Sequence, residues 1–196
     1  LFLVDPRAPG VSLTPMVGID LGSRWSEMRL GDVAVKADAV VGQLGGATGL
    51  LEALLRRAAV CASAEMLGAA RRCLDISVEY AKVREQFGQP IGSFQAIRHK
   101  CAEMLVSVEM AKSAAYNALF IAAANEADFV EAAALAKAYC SEAYFHAAAD
   151  NIQIHGGMGF TWEAAPHLYF KRAKASELLF GDAAHHREEL AKQVGL

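Results

Sequence analysis

Two long helical patterns in this chain meet at the segment Arg84-Glu85-Gln86-Phe87-Gly88-Gln89-Pro90-Ile91-Gly92-Ser93-Phe94-Gln95. On its N-terminal side, apolar residues recur every three or four positions, which predicts a helix from about Thr48 to about Arg84. The buried stripe of that helix includes Cys73, Ile76, Tyr80 and Val83. Glycine and proline in Phe87-Gly88-Gln89-Pro90 end the helix, and Ser93 stands where it can cap a second one. The segment therefore predicts a tight turn between two helices.

The remaining sequence also follows helical spacing. A third helix is predicted from an Asp-x-x-Glu capping box at Asp128-Phe129-Val130-Glu131 to about Asn151. After the break Gly156-Gly157-Met158-Gly159, two shorter helices span about Glu163 to Leu179 and Asp182 to Lys192. The second helix has an apolar inner face of Ile97, Cys101, Met104, Val108 and Ala115. Very long helices followed by shorter ones, with short loops between them, predict a mainly α fold, an up-down four-helix bundle.

The first forty residues carry a pattern of short β-strands instead. Turn signals at Pro9-Gly10, Gly22-Ser23 and Gly31-Asp32 separate short apolar runs. These runs are Leu1–Val4, Glu27–Leu30, Val33–Val35 and Ala39–Val41. So few strands make a poor independent sheet. We therefore predict a short β remnant of an incomplete domain at residues 1–42 and a helical bundle domain at residues 43–196.

Composition excludes several classes of function. Apolar residues make up 54% of the chain, charged residues 21%, and the formal net charge is −3, so no basic surface for nucleic acid is expected. The longest uncharged helical stretch is well short of the roughly 20 apolar residues that a membrane span needs. The inward-facing Glu-x-x-His motifs of a di-iron bundle are missing, so no metal site is predicted.

Cysteine usage and the N-terminus bear on location. The four cysteines have no C-x-x-C spacing and lie in helical stretches, which predicts reduced thiols in a reducing compartment. The chain begins Leu1-Phe2-Leu3-Val4-Asp5, without an initiator methionine or a signal-like segment, so we expect a fragment of a cytoplasmic protein.

Two motifs could carry binding chemistry. Arg84 stands at a helix end beside a turn and a new helix start, where a guanidinium and free backbone N–H groups suit a phosphate or pyrophosphate. The second motif is Gln153-Ile154-His155-Gly156-Gly157-Met158-Gly159-Phe160-Thr161, whose close glycines let a backbone approach a ligand. It does not follow a strand, as a Rossmann G-x-G-x-x-G does. Each motif taken alone is more typical of an ordinary turn than of a binding site.

Taken together, the motifs resemble those of the acyl-CoA dehydrogenase family of flavoproteins. The resemblance lies in an Arg-x-Gln-Phe-Gly-x-x-Ile-x-x-Phe-Gln stretch, about sixty helical residues, and a Gln-Ile-x-Gly-Gly-x-Gly-Phe stretch. It covers essentially the whole chain. Residues 1–42 resemble the last strands of the family's middle β domain, and residues 43–196 resemble its C-terminal helical domain.

The resemblance implies flavin adenine dinucleotide (FAD) as cofactor, an acyl-CoA substrate, an electron-transferring flavoprotein as electron acceptor, and a dimer of dimers. In the family, the arginine that matches Arg84 contacts the pyrophosphate of the neighbouring subunit's flavin, with Gln86 and Phe87 beside it. Gln95 matches a further cofactor contact. The stretch that lines the adenine end of the cofactor is matched by Gln153, Gly156 and Gly157.

The glutamate that serves as the family's base has no counterpart in this chain. The reaction needs a carboxylate within reach of the carbon next to the thioester carbonyl. The family usually supplies it from a Tyr-Glu-Gly-Thr segment, which here reads Leu179-Phe180-Gly181-Asp182 and puts Phe180 at the base position. Other members place the base on the first long helix, where this chain has about Ala58. The Thr-x-Gln that follows the usual base and helps to hold flavin has become Asp182-Ala183-Ala184.

Three functions remain open on the sequence. In the first, the chain is a subunit of a mixed acyl-CoA dehydrogenase that contributes flavin contacts while its partner carries the base. In the second, it belongs to a self-sufficient enzyme whose base lies outside this chain or at Asp182. In the third, it is a helical assembly module without flavin. Asp182 and Glu177 are the only acids near the base position, and Asp182 is also placed to cap the last helix. Matches at Arg84 and Gln153 argue against the module. Sterol side chains, branched acids and straight chains are all compatible with these residues as the acyl group.

Overall fold

A computed structural model of the chain describes residues 1–124 and 127–196. The backbone divides into two compact units, Leu1–Leu55 and Arg56–Leu196. The first unit contains a small antiparallel sheet, and the second consists mainly of long helices. The mainly α fold predicted from the sequence is therefore confirmed. Within the described ranges, every helix is too short or too polar to span a membrane.

The sheet of the first unit has two strands. β1 (Val11–Met16) pairs antiparallel with β2 (Trp25–Leu30), in the register that sets Val11 opposite Leu30. The strand predicted at Glu27–Leu30 is confirmed and begins two residues earlier. β1 was not predicted, because Pro15 interrupts its apolar pattern. The strand predicted at Val33–Val35 is wrong, since these residues take no regular structure. Several large apolar side chains of the two strands stay exposed: Leu13, Met16, Trp25, Met28 and Leu30.

The described residues after this sheet form five α-helices: α1 (Thr48–Val83), α2 (Gln95–Ala124), α3 (Phe129–His155), α4 (Pro166–Leu178) and α5 (Ala183–Gln193). The predicted helices are all present. α3 runs one turn further than predicted, because buried residues continue to Ile154. Two predicted caps are wrong: the Asp128 side chain makes no hydrogen bond to the first turn of α3 among the described residues, and Ser93 donates instead to the Pro90 carbonyl, at 2.7 Å.

The core of the second unit lies between α1, α2 and α3 and is rich in small side chains. Its members include Met66, Ala70, Cys73, Met104, Val108, Ala111, Ala115, Cys140, Tyr144 and Ala148. Alanine favours the helix and lets neighbouring helices approach closely, which explains the high alanine content of the sequence. Val83, predicted on the buried stripe of α1, is exposed. The stripe runs instead through Ser77 and Ala81, so Val83 falls outside it.

Candidate functional site

A short hairpin follows α1. Its strands are β3 (Glu85–Gln86) and β4 (Gln89–Pro90), and Phe87 and Gly88 form the turn between them. Both turn residues have positive φ, 53° for Phe87 and 77° for Gly88, as in the tight turns that suit the twist of a hairpin. The Phe87 side chain is 91% exposed, and its ring contact is with the edge of Phe94, at 6.0 Å between centroids.

Arg84 stands at the base of this hairpin. Its backbone N–H donates to the carbonyl of Tyr80 at 2.9 Å, and its own carbonyl accepts from Ile91 at 2.7 Å, so the backbone is held from both sides. Arg84 is exposed, and within the described part of the chain nothing forms a hydrogen bond or ion pair with its guanidinium. A fixed backbone with an uncommitted cation is therefore present where the sequence predicted an anion contact.

The glycine turn ends α3. Gly156 adopts φ 60° and ψ −138°, a conformation open to glycine but strained for other residues, and its N–H donates to the Gln153 carbonyl. A Cβ built on Gly156 or Gly157 would meet no atom within 4 Å, whereas one on Gly159 would lie 2.8 Å from the Ile152 carbonyl oxygen. Packing therefore requires glycine at 159. The first two glycines instead leave open backbone, next to the exposed side chain of Gln153.

Contacts between α1 and α3 bring the hairpin and the glycine turn to the same end of the bundle. The rings of Tyr80 and His155 stack, with centroids 4.1 Å apart and an interplanar angle of 21°. Tyr80 lies one helical turn before Arg84, and His155 directly precedes Gly156. Gln95, the first residue of α2, is exposed on the C-terminal side of the hairpin. The predicted cofactor residues thus form one group, and the stack that unites them was not predicted.

The turn between α4 and α5 carries Phe180. Phe180 has a φ of 58°, is 42% exposed, and accepts a hydrogen bond from His186 Nε2 at 2.9 Å. Asp182 accepts from the backbone N–H of His185 at 2.8 Å and caps α5, as predicted. That hydrogen bond lowers the pKa of the Asp182 carboxyl. The other nearby acid, Glu177, accepts from Lys174 at 2.9 Å.

The alternative base position lies on the first long helix. Ala58 is half-buried in α1, where its immediate neighbours on the N-terminal side are Arg56 and Arg57. Glu65, two turns further along, is exposed and accepts from the Arg172 guanidinium at 2.8 Å. The nearest acid in the C-terminal direction is therefore already committed to an ion pair.

Lys137 was missed by sequence reasoning. Its fully buried ammonium donates to the carbonyls of Gly181 and Glu177, at 2.8 and 3.0 Å, and to Ser141 Oγ at 3.1 Å. Burial lowers the pKa of Lys137 from 10.5 to about 8. The sequence signal that could have revealed it is a single lysine within the otherwise uncharged, alanine-rich stretch Ala132–Tyr139. Lys137 ties the Phe180 turn to the N-terminal half of α3, about 28 Å along the helix from Gly156, so the two sets of predicted residues are separate groups.

Comparisons with known proteins agree with this geometry. A family model described as acyl-CoA dehydrogenase, C-terminal domain, matches residues 45–195. The acyl-CoA dehydrogenase IpdE2 of Mycobacterium tuberculosis is 48% identical over 137 residues, which cover 70% of this chain and 41% of that protein. A crystal structure of an FAD-dependent dehydrogenase superposes with a TM-score of 0.94 at 28% identity, over 100% of this chain and 53% of the other.

A second solved structure gives the same result. Butyryl-CoA dehydrogenase from Megasphaera elsdenii superposes with a TM-score of 0.93 at 26% identity, over 98% of this chain and 51% of the other. The chain spans about half or less of the length of the curated relatives it matches.

Proposed function

Because this chain belongs to the acyl-CoA dehydrogenase family, we propose that it is part of an FAD-binding subunit of an acyl-CoA dehydrogenase. The enzyme removes hydrogen from the α and β carbons of an acyl-CoA thioester. This chain supplies flavin contacts across the subunit interface, and a homologous partner subunit supplies the catalytic base. Residues 1–42 are the last strands of a middle β domain.

The observation that carries the proposal is the exposure of Phe87. A large aromatic side chain that is 91% exposed contributes little to the stability of its own chain. Its positive φ adds a backbone strain of about 1 kcal/mol, which asparagine or glycine would reduce. Strained residues of this kind cluster at binding and active sites. Within the described residues, the ring contact of Phe87 is the one with Phe94, which leaves most of the Phe87 ring open to a ligand held by another subunit.

The chemistry of the neighbouring groups fits FAD. The planar guanidinium of Arg84 can bind a pyrophosphate through two parallel hydrogen bonds. The amides of Gln86, Gln95 and Gln153 can both donate and accept, as the ribose and adenine require. Gly156 and Gly157 leave open backbone, which lets an adenine approach closely. FAD, when bound, is the hydride acceptor, and the residues of this chain bind it and orient it.

The base position supports assigning proton removal to the partner subunit. Phe180 and Ala58 cannot accept a proton. Asp182 is already used as the cap of α5, and its lowered pKa makes it a weaker base at neutral pH. The flavin contacts and the Phe180 turn lie in separate groups of the bundle. This arrangement is compatible with one complete catalytic site in the partner and an incomplete one here.

The proposed assembly has several partners. It is an oligomer, with a dimer of dimers as the family arrangement, and it passes electrons to an electron-transferring flavoprotein in the cytoplasm. Exposed apolar side chains on α2 support an oligomer, since monomers rarely leave many such residues in one region. They are Leu105, Val106, Met110, Tyr116 and Phe120.

The test is to purify the native protein alone and with its co-expressed homologous partner, and to measure visible flavin absorbance and acyl-CoA dehydrogenation with an artificial electron acceptor. We expect flavin and activity in the complex and not in the solo preparation. Flavin with activity in the solo preparation would instead identify a self-sufficient enzyme with an unconventional base. If both preparations are colourless, the result would support a helical assembly module without flavin.

Variants of Arg84 test the cofactor contact in that complex. Arg84→Ala removes a hydrogen-bonded charge and should weaken FAD binding by about tenfold to a hundredfold. Arg84→Lys keeps the charge but loses the paired hydrogen bonds, so an intermediate affinity is expected. Arg72→Ala is the matched control, because Arg72 is an exposed arginine of α1, three turns from the hairpin, whose ion pair with Glu79 is long at 3.9 Å. An Arg84→Ala complex with unchanged affinity would refute the contact.

A further inference from the structure

The stacked pair Tyr80 and His155 is held in place on both sides. His155 Nδ1 donates to the Asn151 carbonyl at 2.8 Å, which fixes the imidazole ring against α3. Tyr80 is half-buried and packs against the core of the bundle. The rings are nearly parallel, so the contact restricts both the distance and the relative rotation of the two helices at this end.

A second directional contact lies one turn away. Ser77 Oγ and the Asn151 side-chain amide form a hydrogen bond of 3.0 Å between fully buried side chains, and Ser77 Oγ also donates to the Cys73 carbonyl at 2.8 Å. A buried hydrogen bond of this kind has a defined geometry, so it fixes Asn151 against α1.

Spacing along the helices relates both contacts to the predicted cofactor residues. Ser77 and Tyr80 are three positions apart on α1, and Arg84 follows Tyr80 by four positions, directly after the helix ends. Asn151 and His155 are four apart on α3, directly before Gly156. The alanines of the remaining interface pack without directional preference, whereas a stack and a hydrogen bond have defined geometry. These two contacts therefore set how the end of α1 meets the end of α3.

We propose that Tyr80 and His155 are positioning residues for the cofactor: with the Ser77–Asn151 bond, their stack holds Arg84 and the Gly156-Gly157 turn at the spacing that binds one dinucleotide at its pyrophosphate and its adenine end together. The inference rests on the proposed function. A preformed spacing raises affinity because binding then orders fewer groups.

The test measures FAD affinity of the native complex by fluorescence titration, after removal of the flavin. Tyr80→Leu keeps apolar bulk but removes the ring, and it should weaken FAD binding by about threefold to tenfold. Tyr80→Phe keeps the stack and serves as the matched control, with affinity expected to stay within about twofold of the native complex. His155→Phe should likewise bind FAD better than His155→Ala, because it restores a ring.

A double-mutant cycle with Arg84→Ala separates positioning from a general loss of stability. If the stack positions Arg84, a chain that already carries Tyr80→Leu loses less affinity on Arg84→Ala than the native chain does. The inference would be overturned if the two substitutions weaken FAD binding by factors that simply multiply, or if Tyr80→Leu binds FAD as tightly as the native complex. Either result would leave the proposed function intact. A native complex that takes up no FAD would overturn both.

Discussion

Lys137 donates a hydrogen bond to the carbonyl of Gly181 at 2.8 Å, although 44 positions separate the two residues. The same ammonium donates to the carbonyl of Glu177, in the last turn of α4. A buried cation therefore meets the partial negative charge at a helix C-terminus. One side chain of α3 thus holds the turn that carries Phe180, the residue at the position of the usual base.

Replacing Lys137 should loosen this turn selectively. Lys137→Met keeps the length of the side chain but leaves two carbonyls without their donor, a loss of about 1–3 kcal/mol for a buried group. We expect amide exchange across Leu179 to His186 to accelerate by about tenfold or more, because local opening becomes easier. Lys112→Met is the control, since Lys112 is an exposed lysine of α2 whose ion pair with Glu109 is long, at 3.8 Å. Equal exchange in both variants would contradict the anchoring role.

Lys137 should also make stability depend on pH in the alkaline range. Burial lowers its pKa from 10.5 to about 8, so above pH 8 the folded chain releases a proton that the unfolded chain keeps. The free energy of unfolding then rises with pH, by up to about 1.4 kcal/mol per unit. Burial raises the pKa of the Cys73 and Cys140 thiols from 9.0 to about 12, which opposes the rise above pH 9.

Denaturant unfolding between pH 7.5 and 9, compared for the native protein and Lys137→Met, isolates this contribution. The thiols are shared by both proteins and cancel in the difference. As the pH rises, the free energy of unfolding of the native protein should increase relative to that of Lys137→Met. A difference that stays constant across the range would show that Lys137 titrates normally.

Phe87 should be replaceable with a gain in stability and a loss of cofactor binding. Phe87→Asn gives the turn an asparagine-glycine pair, which accepts positive φ readily, and removes little buried surface from an exposed position. We expect the free energy of unfolding to increase by about 1 kcal/mol. In the native complex, the same variant should bind FAD more weakly. A lower free energy of unfolding, or an unchanged FAD affinity, would show that Phe87 stabilises its own chain and does not contact the cofactor.

The glycines of the α3 turn should respond differently to alanine. A Cβ on Gly159 would lie 2.8 Å from the Ile152 carbonyl oxygen, so Gly159→Ala should destabilise the fold by about 1–3 kcal/mol. Gly157→Ala meets no atom within 4 Å and should leave the unfolding midpoint within the range of neutral surface changes. Denaturant unfolding of the two variants checks the contrast. Gly157→Ala should act instead on FAD affinity, which a titration of the complex measures.

Local patterns were sufficient to predict most of the helices. The spacing of buried residues in α2, such as Met104 and Val108, depends only on the helical period, and it is confirmed. Side-chain caps were less predictable, because Ser93 ends a 3-10 turn in which its hydroxyl donates to the Pro90 carbonyl, and α2 begins two residues later, at Gln95. β1 was missed because Pro15 interrupts its local pattern, and the strand is defined by its pairing with β2, which places Pro15 opposite Ser26.

The sequence alone determined the family of this chain, its helical architecture and the absence of a carboxylate at Phe180 and Ala58, because motifs and residue types are properties of the chain itself. Only the tertiary structure showed that Tyr80 stacks on His155 and that Lys137 reaches Gly181. These contacts join residues far apart in sequence. They depend on how α1, α3 and α4 pack, and helical periodicity within one segment carries no information about which segment it faces.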